Sequence, residues 1–169
     1  SDGVLVVEGG EGDKLDAPVD GAGTRALFGA HDSDVLVGNL TSESDDSVAE
    51  QIALYDLDSR SATAVDLGVE FSGVARADDQ SAVLGTDGSV HVIDDATGKV
   101  VEEIAVMEPW EMTDDYTDPK PQVAIGGGFA WVTDPRDSSI ALFELGTGEE
   151  RTRATLADVP TSMMLVNAS

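Results

Sequence analysis

Residues Val123–Leu156 read VAIGGGFAWVTDPRDSSIALFELGTGEERTRATL, and they decide the fold. Val123–Ile125 is a short apolar run turned by Gly126-Gly127-Gly128. Phe129–Thr133 follows and is turned by Asp134-Pro135-Arg136-Asp137. Ile140–Leu145 is a third run, turned by Gly146-Thr147-Gly148, and Arg151–Leu156 is an alternating fourth. Short apolar runs separated by Gly, Pro and Asp predict up-and-down antiparallel strands.

The unit recurs. Val74–Met107 reads VARADDQSAVLGTDGSVHVIDDATGKVVEEIAVM, with Asp87-Gly88 at the place of Asp134-Pro135 and Ala96-Thr97-Gly98 at the place of Gly146-Thr147-Gly148. A looser copy spans Ala26–Leu67, with strands expected at Val35–Gly38, Ile52–Leu57 and Ala62–Leu67 and a polar insertion at Thr41–Glu50. The second strands, beginning at Val35, Ala82 and Ala130, stand 47 and 48 residues apart. A four-stranded repeat at that period is the sequence form of a β-propeller blade.

The whole chain is therefore read as all-β, a partial propeller of about three and a half WD40-like blades. Residues 1–20 form a half blade, because Asp2-Gly3-Val4-Leu5-Val6-Val7 repeats the pattern of Asp87-Gly88-Ser89-Val90-His91-Val92. In that half blade Gly9–Asp13 is expected to turn and Lys14–Ala17 to be a short strand. Full blades follow at 24–68, 73–107 and 122–156, and a last strand at 159–166. Between the second and third blades, 108–121 is a connector whose Pro109, Pro119 and Pro121 bar regular structure. Trp110 in it is read as a plug against the next blade. A blade buries its faces against two neighbours. The expected completion is the rest of a longer propeller, a second copy of the chain, or a four-blade ring closed by the two ends.

Composition narrows the function. The 169 residues carry 34 acidic and nine basic side chains, a formal charge of −25. That opposes nucleic acid and anionic membranes, which recruit positive charge. It suits a cationic partner, a metal ion or a high-salt habitat. No cysteine is present, so a disulfide scaffold, a zinc-thiolate site and a thiol nucleophile are excluded. No run approaches the ~20 apolar residues of a membrane span, and no signal-peptide pattern opens the sequence.

Val83–Val101, Val106–Pro135 and the opening Asp2–Val7 together resemble the C-terminal half of AztD-type proteins. The proline- and tryptophan-bearing connector is the more specific element. The resemblance implies secreted, periplasmic or lipid-anchored propellers that carry zinc to the solute-binding protein of a zinc ABC transporter. It further implies an extracytoplasmic, non-enzymatic protein.

The sequence offers few ligands for such an ion. His31, with Asp32 and Asp34 close by, is the candidate zinc corner. His91 is the second candidate, although flanking Val90 and Val92 also suit a structural histidine in a strand. Asp114-Asp115-Tyr116-Thr117-Asp118 on the connector is the best weak-cation candidate. No calcium-loop spacing, phosphate loop or nucleophile elbow occurs. Asn39-Leu40-Thr41 matches a glycosylation acceptor. Two other readings stand beside the zinc carrier: a metal-free interaction scaffold, and a propeller hydrolase or lactonase with a metal held by Asp, Asn and Glu at the channel.

Overall fold

The computed structural model describes residues 2–31, 33–42, 50–113, 115 and 117–165. All of the regular structure among them is strand. A two-stranded hairpin, β1 (Gly3–Glu8) and β2 (Glu11–Asp16), comes first. Blade one is β3 (Ala22–Phe28), β4 (Val35–Ser42), β5 (Gln51–Asp56) and β6 (Ser61–Asp66). Blade two is β7 (Phe71–Ala77), β8 (Gln80–Gly85), β9 (Ser89–Asp94) and β10 (Lys99–Ala105). Blade three is β11 (Gln122–Gly126), β12 (Phe129–Asp134), β13 (Ser139–Glu144) and β14 (Glu150–Thr155). Every blade is a four-stranded antiparallel meander in chain order.

Three apolar clusters lie between consecutive sheets, and they explain why the strands read as nearly continuous apolar runs. Val4 and Leu15 of the hairpin meet Leu40, Ala53 and Tyr55 of blade one. Val37, Ile52, Leu54 and Val65 of blade one meet Phe71, Val83 and Ile93 of blade two. Ala82, Leu84, Val90, Val92 and Ile104 of blade two meet Ile125, Ala130, Val132, Ala141 and Phe143 of blade three. Successive side chains on β8 and β9 thus go to opposite neighbours, as the pleat requires. A sheet solvated on one face would alternate with polar residues instead. The innermost strands sit together, β3 and β11 both packing on β7. The array is a segment of a β-propeller.

Polar pins hold the blades in register. Arg76 of β7 has a side chain 2% exposed and donates to the carbonyls of Phe28 (3.3 Å) and Val35 (2.5 Å) across the blade boundary. Its Nη2 also meets the buried carboxylate of Asp95 at 2.5 Å. Arg136 donates to Asp134 within its own turn and to the carbonyls of Glu108 and Pro109 on the connector. Trp110 is buried, but its hydrogen bonds go to blade two, which it follows, and not to the next blade as expected. Its Nε1 donates to Gly85 O at 2.8 Å and its backbone N–H to Thr86 O at 2.8 Å.

Several boundaries differ from the sequence reading. The hairpin turn is only Gly9-Gly10, both at positive φ (61° and 89°), so β2 begins at Glu11. Two left-handed residues give the tight turn that matches strand twist. The Asp-Gly match between the hairpin and blade two is displaced by one residue. Ala17 N bonds Asp2 O as Val106 N bonds Gly88 O, and the buried pair Val4–Leu15 corresponds to Val90–Ile104. A one-residue shift exchanges the two faces of a strand, so Leu5 and Val7 point away from blade one. β3 begins at Ala22 and β4 runs on to Ser42, so most of the expected insertion lies outside the described residues. Finally, Thr161–Leu165 is not a strand, contrary to the expected one at 159–166, whose Val166 is outside the described residues. No described strand offers that segment a ladder. The Gln122 side chain holds it, donating to Thr161 O (3.2 Å) and accepting from Met163 N (2.9 Å).

Candidate functional site

A cavity of about 490 Å³ opens where the innermost strands converge. Its walls are β7 and β11, the loop after β3, and the segment carrying Met163 and Met164. Three ionisable residues belong to this lining: His31 from the β3–β4 loop and Asp78 from the β7–β8 turn, both exposed, and Arg76 of β7, whose side chain is buried in its pair with Asp95. Asp78 has φ 51°, a left-handed conformation that aspartate tolerates better than most residues. The sequence pointed to His31 but gave Asp78 no part beside it, because 47 residues separate them. The two share a lining only once blade two stacks on blade one. Asp32 lies outside the described residues, and Asp34 is exposed just before β4.

His91 is placed elsewhere. It is 5% exposed on β9 and is not part of the cavity lining. Its Nε2 lies 3.1 Å from Asp87 Oδ2, and its Nδ1 lies 3.8 Å from Glu103 Oε2 on the neighbouring strand β10. Both ring nitrogens therefore face carboxylates of its own blade. Among the described residues, no three His, Asp or Glu side chains converge as a metal-holding group.

The remaining candidates are local structure. Asp115 accepts from the backbone N–H and the hydroxyl of Thr117, and these bonds hold its carboxyl below the usual range. Its neighbours Asp114 and Tyr116 lie outside the described residues. Asn39 sits inside β4 opposite Ile52 with its Oδ1 buried, and Thr41 is 6% exposed, so the glycosylation motif is folded into a sheet. Asp134 illustrates how the turns are set. Burial pushes its carboxyl up, but hydrogen bonds and charge from Arg136 outweigh this and the net shift is downward.

No family model matches the chain. Zinc chaperone AztD of Citrobacter koseri is 25% identical over 87 residues, which are 52% of this chain and 21% of that protein. The crystal structure of Citrobacter koseri AztD superposes with a TM-score of 0.77 at 19% identity, over 93% of this chain and 42% of that one. The computationally designed Ika4 protein superposes with a TM-score of 0.63 at 14% identity, over 93% of this chain and 89% of that one. The chain thus spans less than half of the AztD chain that it matches. The resemblance is to part of a zinc-chaperone β-propeller, and the structural likenesses establish the fold.

Proposed function

We propose that this chain belongs to an extracytoplasmic zinc-carrying propeller and that His31 supplies its part of the ion site. The reading is supported by the sequence likeness to a zinc chaperone. The observation that carries it is the shared axial cavity, where His31 and Asp78 stand on one lining. Imidazole and carboxylate are both ordinary zinc ligands, and a carrier keeps fewer protein ligands than a structural site so that the ion can leave. Asp32, next to His31 in sequence, is a third donor in this reading. His91 is a structural residue in it, occupied by Asp87 and Glu103.

The mechanism follows from charge. A surface of −25 raises the local concentration of cations. The exposed imidazole at the cavity captures one, and the open rim lets a transporter's solute-binding protein take it by ligand exchange. No step calls for catalysis.

Competition titration against a chromophoric zinc chelator tests this. His31→Ala is expected to weaken zinc binding at least about tenfold, and Asp78→Asn several-fold, with folding unchanged because both residues are exposed. Unaltered affinity in His31→Ala would overturn the assignment. No zinc uptake by the parent protein would instead favour the metal-free scaffold.

A further inference from the structure

A small polar cavity of about 90 Å³ lies between the strand-three to strand-four turns of blades one and two. Blade one lines it with Asp56, at the end of β5, and with Ser61 and Thr63 of β6. Blade two lines it with Asp95 and Thr97, from the turn after β9. Both walls belong to four-stranded sheets that the chain itself completes. The cavity shares no lining residue with the axial one that His31 lines. Asp95 carries the argument. Its side chain is 2% exposed, and its Oδ2 accepts from Arg76 Nη2 at 2.5 Å. Its Oδ1 is buried too, yet no donor among the described residues reaches it. An unmatched buried carboxylate oxygen is costly, and such an atom calls for a water or an ion.

The lining decides between the two. Hydrogen bonds from Ser59, its backbone N–H first, hold the Asp56 carboxyl below its ordinary range, so it is charged and only accepts. Thr97 donates its hydroxyl proton to Asp94 Oδ1 and keeps only lone pairs. Among the described residues, no lysine, arginine or histidine lines the cavity. Arg76, behind Asp95, directs its other donors to Phe28 O, Val35 O, Ser33 and Ser81. Acceptors therefore dominate, and the charge of Asp56 is left unbalanced. A water has only two protons to give, whereas a cation satisfies every lone pair that faces it. We propose that this inter-blade cavity binds a hard divalent cation, Ca²⁺, through the carboxylates of Asp95 and Asp56, with hydroxyl and water oxygens completing the shell. Calcium accepts an all-oxygen shell of flexible geometry, which Mg²⁺ does not, while zinc favours nitrogen and sulfur. Two carboxylates, one of them shared with Arg76, make a weak site of about 10⁻⁴–10⁻³ M. The ion ties the turn of blade one to that of blade two, beside the Arg76 contacts.

Isothermal titration calorimetry of the protein with CaCl₂, in about 0.1 M KCl to screen the general surface charge, tests this. A saturable site is expected, weakened at least about tenfold in Asp56→Asn. Asparagine keeps an oxygen for the Ser59 N–H, so the near-ultraviolet circular dichroism of that variant should match the parent. Asp58→Asn removes the same charge nearby but outside the lining, and it is expected to bind calcium as the parent does. His31→Ala is expected to do the same, which separates the calcium site from the zinc site. No saturable calcium binding by the parent would overturn the proposal and leave a water at Asp95, whatever the variants do. Equal losses in Asp56→Asn and Asp58→Asn would also overturn it, as diffuse attraction to the acidic surface. Calcium binding lost in His31→Ala would move the ion to the axial cavity and overturn it equally.

Discussion

Arg76 shows how one side chain can set the stacking of two blades. It reaches from β7 to carbonyls of blade one while its charge is met by Asp95, with both side chains 2% exposed. Asp95 Oδ1 has no partner, so the pair is not a fully satisfied network. Removing one member strands a buried charge, whereas removing both does not. Arg76→Met is expected to lower unfolding stability by about 3–5 kcal/mol in urea titration, and Arg76→Met with Asp95→Leu to regain most of that loss. A double variant no more stable than the single would show that carbonyl contacts, not charge, dominate. Gly88 is a second sensitive residue. It has φ 83°, and a Cβ there would lie 2.2 Å from Met107 O. Gly88→Ala should cost at least about 1–3 kcal/mol, the range for strain at a special backbone position. Thermal melts would check it, and a melting point unchanged from the parent would contradict the close approach.

At the scale of the element, the strand-three to strand-four turns share one device. Asp56 accepts from Ser59 N, and Asp94 accepts from both the N–H and the hydroxyl of Thr97. These bonds favour the ionised form, and both carboxyls are held below 3.8. A depressed folded value means the stabilisation is complete above that ordinary value. It is lost as pH falls through the lower folded one. Asp94→Ala should therefore be less stable than the parent at pH 7, and the gap should narrow as pH falls below the ordinary carboxylate range. A gap that stays constant across that range would mean the turn does not depend on the charge. The strands themselves were legible from sequence, because apolar runs and turn residues are local signals. The strand expected at 159–166 is not formed over Thr161–Leu165, because a ladder needs a partner and among the described residues that segment hydrogen-bonds to the Gln122 side chain.

For the molecule as a whole, charge and burial oppose each other. Nine basic residues cannot neutralise 34 acidic ones, so the folded state repels itself. Several ion pairs that do form, such as Arg151 with Glu144 and Lys14 with Asp2, are exposed and contribute little. Raising KCl from 0.1 M to 2 M should stabilise the fold by at least about 1 kcal/mol, roughly 2–4 °C in Tm for a domain of this size. A Tm that falls with KCl would show that surface pairs outweigh the general repulsion.

By itself the sequence determined the all-β class, the blade period and the turns, since each rests on neighbours within a few residues. It also marked His31 as a candidate ligand by residue type. Only the tertiary structure decided which face each strand turns to which neighbour, as the one-residue displacement of β1 shows. It alone placed Asp78 and His31 on the lining of one cavity and set His91 apart among carboxylates. Those outcomes depend on how separate sheets stack, and the apolar area that drives stacking carries no address in the local chain.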